Sequence, residues 1–191
     1  MEFNEQIWWY VSRASGVVAW VLLALSMCWG LLVSTRAANS AGRPANILEL
    51  HRYLSLLSVL FTGIHIAGLV ADDYVHFGWS ETLVPWASEW RPTAVAWGVL
   101  GLYLLIAIEL TSLLRKHLPR RIWRAIHMAS FGLFVFATLH GIQAGTDMGN
   151  LWFRLALLAA INIVAFLTLI SIAARHYKEW RRWASAARIR S

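Results

Sequence analysis

Residues 48–71 read LELHRYLSLLSVLFTGIHIAGLVA, and residues 125–143 read AIHMASFGLFVFATLHGIQ. Each is an apolar run of the length needed to cross a hydrocarbon core of about 30 Å, which takes about 20 helical residues. Each also carries two histidines, His51 and His65 on the first run and His127 and His140 on the second. Ionisable side chains are rare in hydrocarbon, so four imidazoles on two such runs point to a buried set of ligands. Three further apolar runs, 14–35, 93–114 and 152–174, bring the expected spans to five. Stretches such as Val17 to Leu25 and Leu155 to Ala165 lack the period-2 alternation of a membrane barrel, so the expected fold is an all-α membrane bundle.

Composition agrees, with 59% hydrophobic residues, 14% charged and a mean hydropathy of +0.55, far from the range of soluble domains. The net charge of +7 would suggest nucleic acid if taken alone, but its distribution argues for topology instead. Arg36, Arg43 and Arg52 flank the first connection; Arg115, Lys116, Arg120, Arg121 and Arg124 fill the third; Arg175, Lys178, Arg181, Arg182, Arg188 and Arg190 end the chain. Arg13, Arg91 and Arg154 lie at the opposite ends of the spans, with Glu2, Glu5, Asp72, Asp73, Glu81, Glu89 and Asp147. The positive-inside rule then places the N-terminus outside and the C-terminus in the cytoplasm, as five spans require. The expected location is the cell membrane, crossed several times, with lipid as the partner and no nucleic acid.

The start of the chain does not read as a cleavable signal peptide, because acidic Glu2 and Glu5 replace a basic leader and the first run is long enough to stay in the bilayer. Cys28, the lone cysteine, reads as a small core residue. Trp8, Trp9, Trp79, Trp86, Trp90 and Trp152 fall at the expected outer interface and Trp123, Trp180 and Trp183 at the inner one, forming an aromatic belt. No internal repeat or nucleotide-binding loop is apparent, so residues 1–191 read as one bundle.

The second and fourth spans both run from the cytoplasm outward. Depth therefore pairs His51 with His127 and His65 with His140, and separations of 14 and 13 residues correspond to about 20 Å along the membrane normal. Paired neutral imidazoles at two depths suit two stacked haems, each iron held from both sides. The rotational phase is less regular. At roughly 100° per residue, 14 residues bring a side chain back to within about 40°, but 13 leave it about 140° away. The fourth helix must be distorted between its histidines, near Gly132, or the two haems must be approached from different sides.

The same spacing, with Trp123-Arg124-Ala125-Ile126-His127 and Leu139-His140-Gly141, resembles the ferric reductase-like transmembrane domain. Ferric reductases, NADPH oxidases and the haem subunit of bacterial methionine sulfoxide reductase systems share that domain. Ser12-Arg13-Ala14-Ser15-Gly16 and Thr111-Ser112 extend the likeness along the chain. The resemblance implies that His51, His65, His127 and His140 are axial ligands of two b-type haems that conduct electrons across the membrane. With no flavin or NAD(P)H domain in these 191 residues, the expected donor is separate, a flavin reductase or a quinol, and flavin enters only through that partner. The expected acceptor lies at the outer face, a ferric ion or a protein. Two other readings are a haem-bearing subunit dedicated to an outer enzyme such as a methionine sulfoxide reductase, and a metal transporter, which fits the depth pairing poorly.

Haem propionates need cations near the membrane surface, which Arg52 and Arg124 offer at the inner end and Arg13 or Arg91 at the outer. Phe61, Phe131, Phe134 and Phe136 lie between the ligand levels and read as packing. Asp72, Asp73 and His76 on the outer segment read as a solvated loop, with a ferric or cupric site as the alternative. Glu109 is an acid within the third span, expected to pair with an arginine or to handle protons or quinol. His117 and His176 carry no assignment.

Overall fold

A computed structural model of the chain describes residues 6–35, 44–72 and 77–189. Every regular element among them is helical: α1 (Ile7–Thr35), α2 (Pro44–Val70), the short α3 (Trp79–Leu83), α4 (Pro92–Leu113), α5 (Arg120–Met128), α6 (Ser130–Ala144), a 3₁₀ turn at Asp147–Gly149, and α7 (Leu151–Ile189). Five stretches are long and apolar enough to cross a membrane, namely Ile7–Thr35, Leu48–Val70, Pro92–Leu113, Arg120–Ala144 and Leu151–Tyr177. They coincide with the five apolar runs of the sequence.

The ends differ for local reasons. The first helix begins at Ile7 rather than near residue 14, because Trp8, Trp9, Tyr10 and Val11 continue the apolar pattern toward the interface. Proline at the first helical position starts α2 and α4, where its missing N–H costs nothing. The last helix runs to Ile189 instead of stopping near residue 174, since the tail is rich in the helix-favouring alanine, arginine and lysine.

The fourth span is two helices. Between α5 and α6, Ala129 N–H donates to Ile126 O at 2.9 Å, a three-residue turn, and Leu133 N–H resumes the regular pattern on Ala129 O at 2.9 Å. A tighter turn re-phases every residue beyond it. The distortion expected between His127 and His140 thus falls at Ala129, three residues before Gly132.

The chain divides into two compact units. The first comprises Met1–Leu23 with Ser55–Gly149. Within it α4 packs chiefly on α6, where Leu105 and Ile108 bury against Leu133, with Leu23 and Val59 alongside. Polar bonds between spans supplement this packing, as membrane bundles require where lipid competes for apolar contact. Ser58 Oγ donates to Ala19 O at 3.3 Å, and Trp20 Nε1 donates to Thr138 Oγ1 at 3.0 Å while its ring stacks on Phe134. The second unit comprises Ala24–Leu54 with Asn150–Ser191, where Ser34 and Ser171 bring their hydroxyls to 3.4 Å between α1 and α7.

Candidate functional site

His65 on α2 and His140 on α6 lie in the first unit, with ring centroids 6.1 Å apart and planes at 75°. Each ring is held through Nδ1. For His65 the partner is Ser12 O at 2.8 Å, with Ser12 Oγ at 3.2 Å from the same nitrogen and donating to His65 O at 3.1 Å. For His140 it is Ala94 O at 2.8 Å, on the first turn of α4. A carbonyl can only accept, so each Nδ1 carries the proton; in a neutral ring Nε2 then keeps its lone pair, the form in which imidazole binds a metal. Two imidazoles that face one metal in line through Nε2 stand about 6 Å apart centroid to centroid, given metal–nitrogen bonds of about 2.0 Å. The observed separation meets that requirement.

The other two histidines are in different units, and each has its own surroundings. His51, on α2 in the second unit, points Nδ1 at Ser26 O, 3.0 Å away, with Ser26 Oγ at 3.2 Å, which repeats the arrangement at His65. His127, on α5 in the first unit, stacks on Trp123 at 5.0 Å and 20°, and the Arg115 guanidinium lies 4.5 Å from the centre of that indole.

The family model described as ferric reductase like transmembrane component matches residues 15–138. The chain belongs to this family. No curated protein and no solved structure matches it. The matched region of this ferric reductase-like chain contains His51, His65 and His127, and His140 follows two residues beyond it.

Several other polar groups of this ferric reductase-like chain have partners that sequence alone did not identify. Arg13 forms a two-pronged ion pair with Asp147, donating from Nε to Oδ2 at 2.9 Å and from Nη2 to Oδ1. That guanidinium holds the Asp147 carboxyl below the usual carboxylate range, through the hydrogen bond first and the charge attraction in addition. Arg91 caps α4 in the left-handed conformation (φ 44°), donates to Gln143 O at 2.6 Å and covers Trp90. Arg52 and Arg124 are exposed, and Arg124 lines a groove with Arg120 and Arg121. Glu109 accepts a hydrogen bond from Ser55 of α2, and among the described residues it forms no ion pair with an arginine. Phe134 and Phe136 stack on Trp20 and Trp97. Asp72 is buried, 4% exposed, and its Oδ1 has no hydrogen-bond partner among the described residues. Asp73 and His76 lie outside the described residues. Among the described residues no group of three or more His, Cys, Asp or Glu side chains is arranged around a metal site.

Sequence reasoning missed Ser12 and Ser26. The signal was present: they lie 14 residues apart on α1, as His65 and His51 do on α2, so a single antiparallel register brings both pairs together.

Proposed function

We propose that this chain is a transmembrane electron-transfer protein that binds two b-type haems through His51, His65, His127 and His140, with one haem between His65 and His140. The reading rests on one observation above all: two imidazoles on separate spans stand 6.1 Å apart, each with Nδ1 within hydrogen-bond distance of a backbone carbonyl. Membership of the ferric reductase-like family supports it. A two-imidazole site needs no third protein ligand, since a porphyrin brings its own four nitrogens.

Bound there, haem supplies a one-electron iron couple within the hydrocarbon. The protein's part is to present neutral Nε2 donors, to keep water out with apolar spans and to fix the rings through the backbone. Arg52, beside His51, and Arg124, three residues before His127, are both exposed and suit haem propionates. At the other end the guanidiniums of Arg13 and Arg91 already hold Asp147 and Gln143 O, so they would have to divide their donors with a propionate. The bias of basic residues among the connections favours an N-terminus outside and a C-terminus in the cytoplasm of the cell membrane, and in this reading electrons pass from a cytoplasmic or quinol donor to an acceptor at the outer face.

A reduced-minus-oxidised spectrum with haem quantitation on purified wild type tests the proposal. The expected result is a low-spin bis-histidine spectrum and about two haems per chain; a colourless, folded protein contradicts it.

A further inference from the structure

Three of the four histidines abut a glycine of the same helix that bonds their Nδ1. A Cβ built on Gly16 would stand 2.9 Å from His65 Nδ1, one on Gly98 2.8 Å from His140 Nδ1, and one on Gly30 3.2 Å from His51 Cε1. Ordinary contact between such atoms is about 3.5–4.0 Å, so no side chain fits at the first two positions unless the imidazole moves. The ring cannot move freely, because its Nδ1–H is bonded to the neighbouring backbone.

The three cases share one pattern. The glycine always follows, by four residues, the residue whose carbonyl accepts Nδ1–H: Ser12 and Gly16, Ala94 and Gly98, Ser26 and Gly30. Four residues are close to one helical turn, so carbonyl and bare Cα lie one above the other on a single face. Together they form a two-point seat, in which the carbonyl fixes one ring nitrogen and the missing side chain admits the ring edge. Glycines that adjoin the histidines in sequence do not share this property. A Cβ on Gly63 or Gly141 would meet nothing within 4 Å.

We propose that Gly16, Gly98 and Gly30 are positioning residues that seat the imidazoles so that Nε2, and not Nδ1, is the metal-binding nitrogen. The inference rests on the bis-imidazole reading above. Recurrence carries it, since the same carbonyl and glycine pairing arises on two different helices, α1 and α4, and in both compact units. A methyl group at Gly16 or Gly98 pushes the ring off its carbonyl, which frees Nδ1–H and turns Nε2 away from the shared metal.

The test compares Gly16→Ala and Gly98→Ala with Gly63→Ala and Gly141→Ala in the haem-loaded, full-length protein, by optical and electron paramagnetic resonance spectra and haem count. Gly16→Ala and Gly98→Ala should each convert about one haem from low spin to high spin or lose it, and added imidazole should restore the low-spin signal. Gly63→Ala and Gly141→Ala should match wild type. Full low-spin haem in both Gly16→Ala and Gly98→Ala overturns the inference while leaving the haem reading intact; absence of low-spin haem from wild type overturns the haem reading itself. Should the variants fail to insert, electron–nuclear double resonance on wild type in H2O and D2O reads the same seat directly. It should detect an exchangeable Nδ1 proton on both imidazoles of a haem, and coordination through Nδ1 at either one overturns the inference.

Discussion

The two halves of the fourth span each carry one histidine and hold it by different means. On α6, Leu133, Phe134 and Thr138 are buried, and His140 is bonded to the α4 backbone at Ala94. On α5 no residue is buried, and His127 lies flat on Trp123, which Arg115 covers in turn. A main-chain carbonyl bonds one imidazole, and an indole face stacks on the other. On α4, thirteen residues beyond Ala94 and Gly98, stand Ala107 and Thr111, so the glycine has no counterpart there, and the Thr111 hydroxyl donates to Ala107 O at 2.7 Å. The turn at Ala129 separates the two regimes.

The largest effect expected from this contrast is at the ligands' supports. His140→Ala should lose about one haem, whereas Trp123→Leu should keep both haems and forfeit a stacking contact of about 0.5–1.5 kcal/mol. Haem quantitation beside thermal unfolding in detergent checks this, and equal haem loss from both variants erases the distinction.

Much of this was legible in the sequence. Apolar length gave five spans. Because helical phase follows from residue count alone, the periodic mismatch between 13 and 14 residues left two alternatives, a distorted fourth span or haems approached from different sides, of which the structure shows the distortion. Ala129 itself was not legible, since alanine has the highest helix propensity and nothing local marks it as a break. Gly132, the residue that sequence favours for a distortion, instead lets Leu104 approach, its Cβ position lying 3.4 Å from Leu104 Cδ1. Partners of Arg13, Glu109 and Trp20 were hidden for another reason. They depend on which spans are neighbours, and apolar patterning does not encode that.

Smaller effects sharpen the picture of the packed half. Thr138→Val removes the acceptor of Trp20 Nε1 at 3.0 Å, and an interhelical hydrogen bond in a membrane bundle contributes about 0.6 kcal/mol. A modest drop in midpoint temperature with an unchanged haem spectrum is expected; a lost haem would show that this bond supports the site directly.

The smallest effect lies at the loop between α6 and α7. Arg13 and Asp147 are partly exposed, with side chains 37% and 19% accessible, so their ion pair is worth about 0.5 kcal/mol. Because the Asp147 carboxyl is held below its ordinary value, the contribution is complete above the unfolded carboxylate range of about 3.9 and is lost as pH falls through the depressed value. Asp147→Asn should therefore be slightly less stable than wild type at neutral pH and converge on it in acid. Stability curves that remain parallel down to the lowest pH would remove the pair from the list of stabilising contacts.

The most direct measurement is haem content in His65→Ala, His140→Ala and the double variant, each purified as inserted, helical protein. A single iron shared by α2 and α6 predicts the same loss of about one haem in all three, with the remaining haem still low spin. Full haem content in either single variant, or loss of a further haem only in the double variant, contradicts a site built from these two imidazoles.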